Sequence, residues 1–140
     1  MARTASKAPP NLFERAGFEA FVLSLPAATL VHQWGDASVG KVGGKIFALF
    51  GEGVTGSPAA ISFKCSDMAF EMLPELNGVR PAPYLARAKW VVADAGSALS
   101  AAEMAGYIRE AHRLVATKLT RRLRAELELD AVIAAPPHRS

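Results

Sequence analysis

Apolar and polar positions alternate along Ser38–Val42 and again along Lys45–Phe50, and the two runs meet at Gly43-Gly44. A two-residue glycine link between such runs predicts a tight β-hairpin, because its turn needs positive φ, which glycine accepts without steric cost. In the second arm Ile46, Ala48 and Phe50 fall on one face and Phe47 and Leu49 on the other. Both faces are apolar, which predicts a central strand packed on both sides. Ala28–Trp34 reads as a strand before the hairpin. Ala59–Cys65 reads as one after it, with Ile61, Phe63 and Cys65 facing the core and Ala60, Ser62 and Lys64 the open side. Val79–Leu85 carries two prolines, which restricts it to a sheet edge or an extended loop. Arg87–Ala93 completes the strands, with Trp90 and Val92 on one face and Lys89 and Val91 on the other.

Helical spacing appears before, within and after these strands. Leu12, Phe13, Ala16, Ala20, Phe21 and Leu23 line a first helix, capped by Asn11 with Glu14 three residues on and ended at Leu25-Pro26. Ser66 caps a short helix over Asp67–Leu76, and Asn77-Gly78 is a turn. Ser100 and Glu103 form a second capping box, opening a long helix with the core stripe Met104, Tyr107, Ile108, Ala111, Leu114 or Val115, and Leu119. Consecutive strands with short links, flanked by helices, predict an α+β fold. It has a single antiparallel sheet of about five to six strands, with the N- and C-terminal helices on one face. Residues 1–10 read as a disordered leader, 11–130 as one domain and 131–140 as a disordered tail.

Composition narrows the function classes. The 140 residues are 51% apolar and 21% charged, as in a globular chain with its own core, and carry a net charge of +3. No apolar run approaches the roughly 18 residues of a membrane span, and no signal-type segment follows the basic N-terminus. The expectation is a cytosolic protein with no membrane partner. Cys65 is the single cysteine and reads as a small buried hydrophobe, and His32, His112 and His138 have no ligand spacing. His112 lies at the boundary of its helix's apolar stripe. His32 and Asp36 could pair for acid–base work, but a structural role is the simpler account. The glycines at 40–44 and 51–56 lack the following helix that a phosphate loop requires. No nucleophile–base pair, metal set or cofactor site emerges, and the expectation is a non-enzyme without cofactor or metal.

The cations carry more. Lys41, Lys45, Lys64, Arg80, Arg87 and Lys89 lie among the strands, with Tyr84 and Trp90 close in sequence. A sheet face of this kind can neutralise phosphates while aromatic rings stack or wedge. A solvated face that needs charge for solubility explains the same residues. Arg109, Arg113, Lys118, Arg121, Arg122 and Arg124 form a second group, best explained as a solvated helix end.

W-G-D-A-S at 34–38, K-V-G-G-K-I-F-A at 41–48, S-F-K-C at 62–65, G-V-R-P at 78–81, Tyr84 and K-W-V at 89–91 together resemble the MmcQ/YjbR family of small bacterial proteins. The closing helix, A-x-x-L-V-A-x-K-L at 111–119, fits too, and the resemblance runs from about Asn11 to Leu127. It implies a frataxin-like, double-wing fold. Members are described as DNA-binding by analogy with a double-wing transcription-factor domain. The resemblance therefore implies a DNA partner, with Lys41, Lys45, Lys64, Arg80, Arg87 and Lys89 on the backbone and Tyr84 or Trp90 as a stacking surface. Lys89 stands where the family often has histidine, which removes any role tied to that imidazole. The alternative is a protein-interaction or small-ligand module on the same scaffold. Iron handling is disfavoured, since Glu14 and Glu19 are the only acids of the first helix and Arg15 lies between them.

Overall fold

Alternation, turn glycines and caps resolve, in a computed structural model that describes residues 11–33, 37–51, 59–82 and 88–134, into one antiparallel sheet under a helical layer. In chain order the elements are α1 (Arg15–Leu23), β1 (Ala28–Gln33), β2 (Ala37–Val42), β3 (Lys45–Gly51), β4 (Ala60–Lys64) and α2 (Asp67–Met72). A 3-10 turn (Leu73–Glu75), β5 (Val79–Pro81), β6 (Trp90–Asp94), α3 (Ala101–Thr117), α4 (Arg121–Glu126) and α5 (Asp130–Ala134) follow. The six strands lie in the order β1-β2-β3-β4-β6-β5, and every pairing is antiparallel. β3 is interior, as expected, and the proline-bearing β5 is at an edge. Residues 1–10 and 135–140 lie outside the described residues, but 131–134, expected in the tail, are helical. Leu129 is fully buried just before α5, and Val132 and Ile133 pack on the core.

Two local expectations change. Asn11 does not cap α1: its side chain accepts from the Phe13 N–H at 3.0 Å, making a turn ahead of the helix, and Glu14 occupies the cap position without a side-chain bond. In β3 the register shifts. Gly40 pairs with Ala48 and Lys41 with Ile46, so Phe47 is the extra residue of a β-bulge. The bulge turns Phe47 to the same side as Phe50. The Phe47 ring meets His112 of α3 edge-on at 5.3 Å, and the Phe50 ring meets Phe18 of α1 at 5.6 Å. Phe47 and Leu49 therefore do not share a face; Leu49 pairs with Ser62 on the side away from the helices.

The core lies between sheet and helices. Phe18, Phe47, Phe63, Met104 and Ile108 are fully buried there. Removing each such side chain from water contributes about 1.5–3 kcal/mol. α3 delivers Met104, Ile108, Ala111 and Val115 as the spacing predicts, and its capping box is complete, with Ser100 and Glu103 each accepting from the other's backbone N–H. His112 is buried, not at the boundary: its Nε2–H donates to the Pro26 carbonyl at 2.8 Å, and burial lowers its pKa. On the opposite face one cross-strand row runs Val31, Val39, Leu49, Ser62, Val92 and Arg80. Val39, Ala60, Trp90 and Val92 are buried on that face, apart from the main core.

Candidate nucleic-acid interface at one end of the sheet

Antiparallel register fixes which strand termini meet. The β2–β3 turn at Gly43-Gly44 sets one end of the sheet, with Lys41 and Lys45 on either side. Gly51 pairs with Ala60, so β4 runs back towards the turn and finishes there at Lys64. Lys64 pairs with Trp90, so β6 begins at that same end, immediately after Lys89. α3 terminates there too: a Cβ on Gly43 would stand 2.6 Å from Leu119, the residue after Lys118. The described lysines, 41, 45, 64, 89 and 118, thus gather at one end of the molecule. None of them forms an ion pair among the described residues.

Lys64 and Lys89 are each placed by something other than a carboxylate. Lys64 Nζ donates to the Ala88 carbonyl at 2.7 Å, and burial, followed by the charge of Lys118, lowers its pKa. Asp67 opposes that effect and Lys89 adds to it. Lys89 lies before β6 rather than on it, at φ 65°, and its ammonium sits 5.0 Å from the centre of the Phe70 ring. Lys41 is half-buried and Lys45 exposed. Like charges held together without an ion pair favour an incoming anion, since each phosphate neutralised also releases condensed counterions.

The opposite end is built differently. Ser38, fully buried, donates its hydroxyl to Glu19 Oε2 at 2.6 Å and accepts from Arg15 at 2.6 Å. His32 Nε2–H donates to the same Glu19 oxygen at 2.7 Å. The bonds from Ser38 and then His32 hold the Glu19 carboxyl below its usual range. Arg80 forks onto both oxygens of Asp94, at 2.8 and 3.2 Å, which raises its pKa. Here acids and bases satisfy one another.

Of the residues expected to touch DNA, the structure brings Lys41, Lys45, Lys64 and Lys89 together. Arg80 is committed to Asp94, and Trp90, 6% exposed, packs inside the sheet's second face instead of offering a stacking surface. Tyr84 and Arg87 lie outside the described residues, as does Asp36, the expected partner of His32. Lys118, which the sequence places with the solvated helix end, joins the strand lysines through the contact of Leu119 with the hairpin turn and through its charge on Lys64. Of the arginines of that group, Arg113 pairs with Glu110, Arg122 with Glu126 and Arg124 with Asp130; Arg113 and Arg124 are half-buried rather than solvated, and Arg109 lies over the Phe21 ring. Cys65 is buried, and burial pushes its thiol up to about 11, far from a thiolate nucleophile. Among the described residues no three His, Cys, Asp or Glu side chains form a metal-ligand set, and no helix is long and apolar enough to cross a membrane.

The architecture is that of a small α+β protein with a single antiparallel sheet. The chain belongs to the YjbR family, whose model matches residues 23–114. It is similar in structure to a Deinococcus radiodurans protein with a DUF419 domain, at a TM-score of 0.70 and 23% identity over 89% of this chain and 94% of that one. A Pseudomonas syringae protein is similar at a TM-score of 0.60 and 20% identity, over 72% of this chain and 97% of that one. At these identities the likeness concerns the fold. No curated protein matches the chain.

Proposed function

We propose that this chain is a non-enzymatic, cytosolic DNA-binding module that grips the phosphate backbone with the lysine end of its sheet. The observation that carries the reading is the gathering of Lys41, Lys45, Lys64, Lys89 and Lys118 at one end without an ion pair, while Arg80, Arg113, Arg122 and Arg124 are each paired with an acid. The double-wing resemblance supports it by analogy of fold alone. Backbone contact is the mode that suits these residues. Lysine is a point charge on a flexible stem and reads phosphate rather than base edges. With Trp90 buried and Arg80 engaged, neither of these expected base contacts is available at this end. Binding should therefore be strong in low salt and weakly dependent on sequence.

A salt series on a short duplex tests this. The slope of log K against log salt should be about 0.9 per phosphate contacted, and Lys45→Ala and Lys118→Ala should each flatten it by about that much. Arg122→Ala, at the paired helix end, should leave the slope unchanged. A duplex that fails to bind in low salt, or a slope that survives the combined change at Lys45, Lys64 and Lys118, overturns the reading.

A further inference from the structure

Besides Leu23, the large apolar side chains most exposed in the described residues lie in one stretch: Met68 at 72%, Met72 at 52% and Leu76 at 37%. The four-residue spacing places Met68 and Met72 on one side of α2, and Leu76 follows in extended backbone at the end of the 3-10 turn. Ala69 and Leu73 are buried on the other side. Each exposed apolar residue is preceded by an acid, Asp67, Glu71 and Glu75, and all three acids are exposed. None forms an ion pair among the described residues. The result is a methionine-rich apolar row beside a continuous carboxylate row.

Nothing in the fold needs this face to be apolar, since the core side of the same element is already filled. Methionine suits a contact that forms and dissolves, because its unbranched, polarisable side chain adapts to the shape it meets. Met68 and Met72 stand one helical turn, about 6 Å, apart, which matches the i, i+4 spacing of apolar residues on a facing helix. The carboxylate row selects the charge of that helix: its apolar stripe must be bordered by lysine or arginine. We propose that this face of α2 docks a basic amphipathic helix of a partner protein. The docking does not depend on DNA binding. The lysine end, beginning at Lys64 just before α2, repels a basic partner and orients its helix along Glu71 and Glu75, away from the lysines.

The test uses the full chain and a fluorescein-labelled amphipathic Leu/Lys peptide of roughly 18 residues, long enough to form a helix on a surface. Anisotropy should show saturable binding, and amide resonances should shift along residues 67–76. Met68→Gln with Met72→Gln should weaken binding by about tenfold or more, and Glu71→Lys with Glu75→Lys should abolish it. Both pairs are exposed, so folding should be unaffected, as a matched circular dichroism melt would show. A Leu/Glu peptide of the same length should not bind. Binding retained in the methionine variant, or amide shifts confined to the lysine end, overturns the proposal. So does a concentration-dependent dimer in light scattering that the methionine variant abolishes, for the occupant is then a second copy of this chain.

Discussion

The two ends of the sheet handle charge in opposite ways. At the end holding Glu19, Arg15, His32 and Ser38, every polar group named has a partner on a neighbouring element, and Arg80 and Asp94 close on one another. At the hairpin end the cations meet a carbonyl, a phenyl ring and solvent, but no carboxylate in an ion pair. The first arrangement is complete within the chain and serves to tie α1 to β1 and β2. The second is electrostatically incomplete within the described residues, and the proposed phosphate contact rests on that incompleteness. Polar residues that satisfy one another report on folding, whereas like charges held together report on binding.

The largest effect should come from disturbing the platform that holds the lysine end. Gly43 has φ 59°, and a Cβ there would lie 2.6 Å from Leu119. Gly43→Ala adds left-handed strain to a steric clash, together about 2–3 kcal/mol of lost stability in urea unfolding. Because Lys118 adjoins Leu119, the same variant should also weaken duplex binding while still folded. Gly44→Ala serves as control: its φ is 82°, but nothing lies within 4 Å of its Cβ position, so only the backbone strain of about 1 kcal/mol should appear. Equal losses in the two variants would separate Leu119 from the turn and leave Lys118 outside the cluster.

A smaller effect is expected at the closed end. Ser38→Ala removes the hydroxyl that bridges Arg15 and Glu19, and should cost about 1–2 kcal/mol, because both charged groups must find water from a partly covered position. The salt slope of duplex binding should not change. A change in slope would mean that the two ends are electrostatically continuous, and the contrast between them would fail.

These differences trace what the sequence could show. Capping at Ser66 and Ser100 was legible because donor and acceptor lie three residues apart. So was the Gly43-Gly44 turn, and with it the antiparallel order of β2 and β3. The bulge at Phe47 was not, since strict alternation carries no mark of an inserted residue; only the Gly40–Ala48 and Lys41–Ile46 pairs expose it. Nor was the Glu19 cluster: Ser38 lies 19 residues from Glu19 and 23 from Arg15, separations set by the packing of α1 on β2. The alternation marks Lys41, Lys45, Lys64 and Lys89 as belonging to strand segments, but their common end follows from register, and Lys118 joins them only in three dimensions. Alternation places Trp90 on one face with Val92, but it cannot tell whether that face is covered.

Acid titration separates the closed end from the rest most finely. Glu19 has its carboxyl held below the free value of 4.5 by Ser38 first and His32 second. A folded pKa below the unfolded one contributes stability that is present above the unfolded value and lost as pH falls through the folded one. His112 adds an earlier loss. Its buried ring stays neutral in the fold, while the unfolded ring takes up a proton as pH drops through 6.5, so stability declines from there downward. Urea unfolding from about pH 7 to about pH 2 should therefore show two successive losses. Glu19→Gln should remove the lower and spare the upper, and Lys64→Ala should leave both in place, because lysine titrates far above this range. If Glu19→Gln left the acid limb intact, the carboxylate would not be the hub of the closed end, and α1 would be tied there by the Arg15–Ser38 bond and the packing of Phe18 on Phe50.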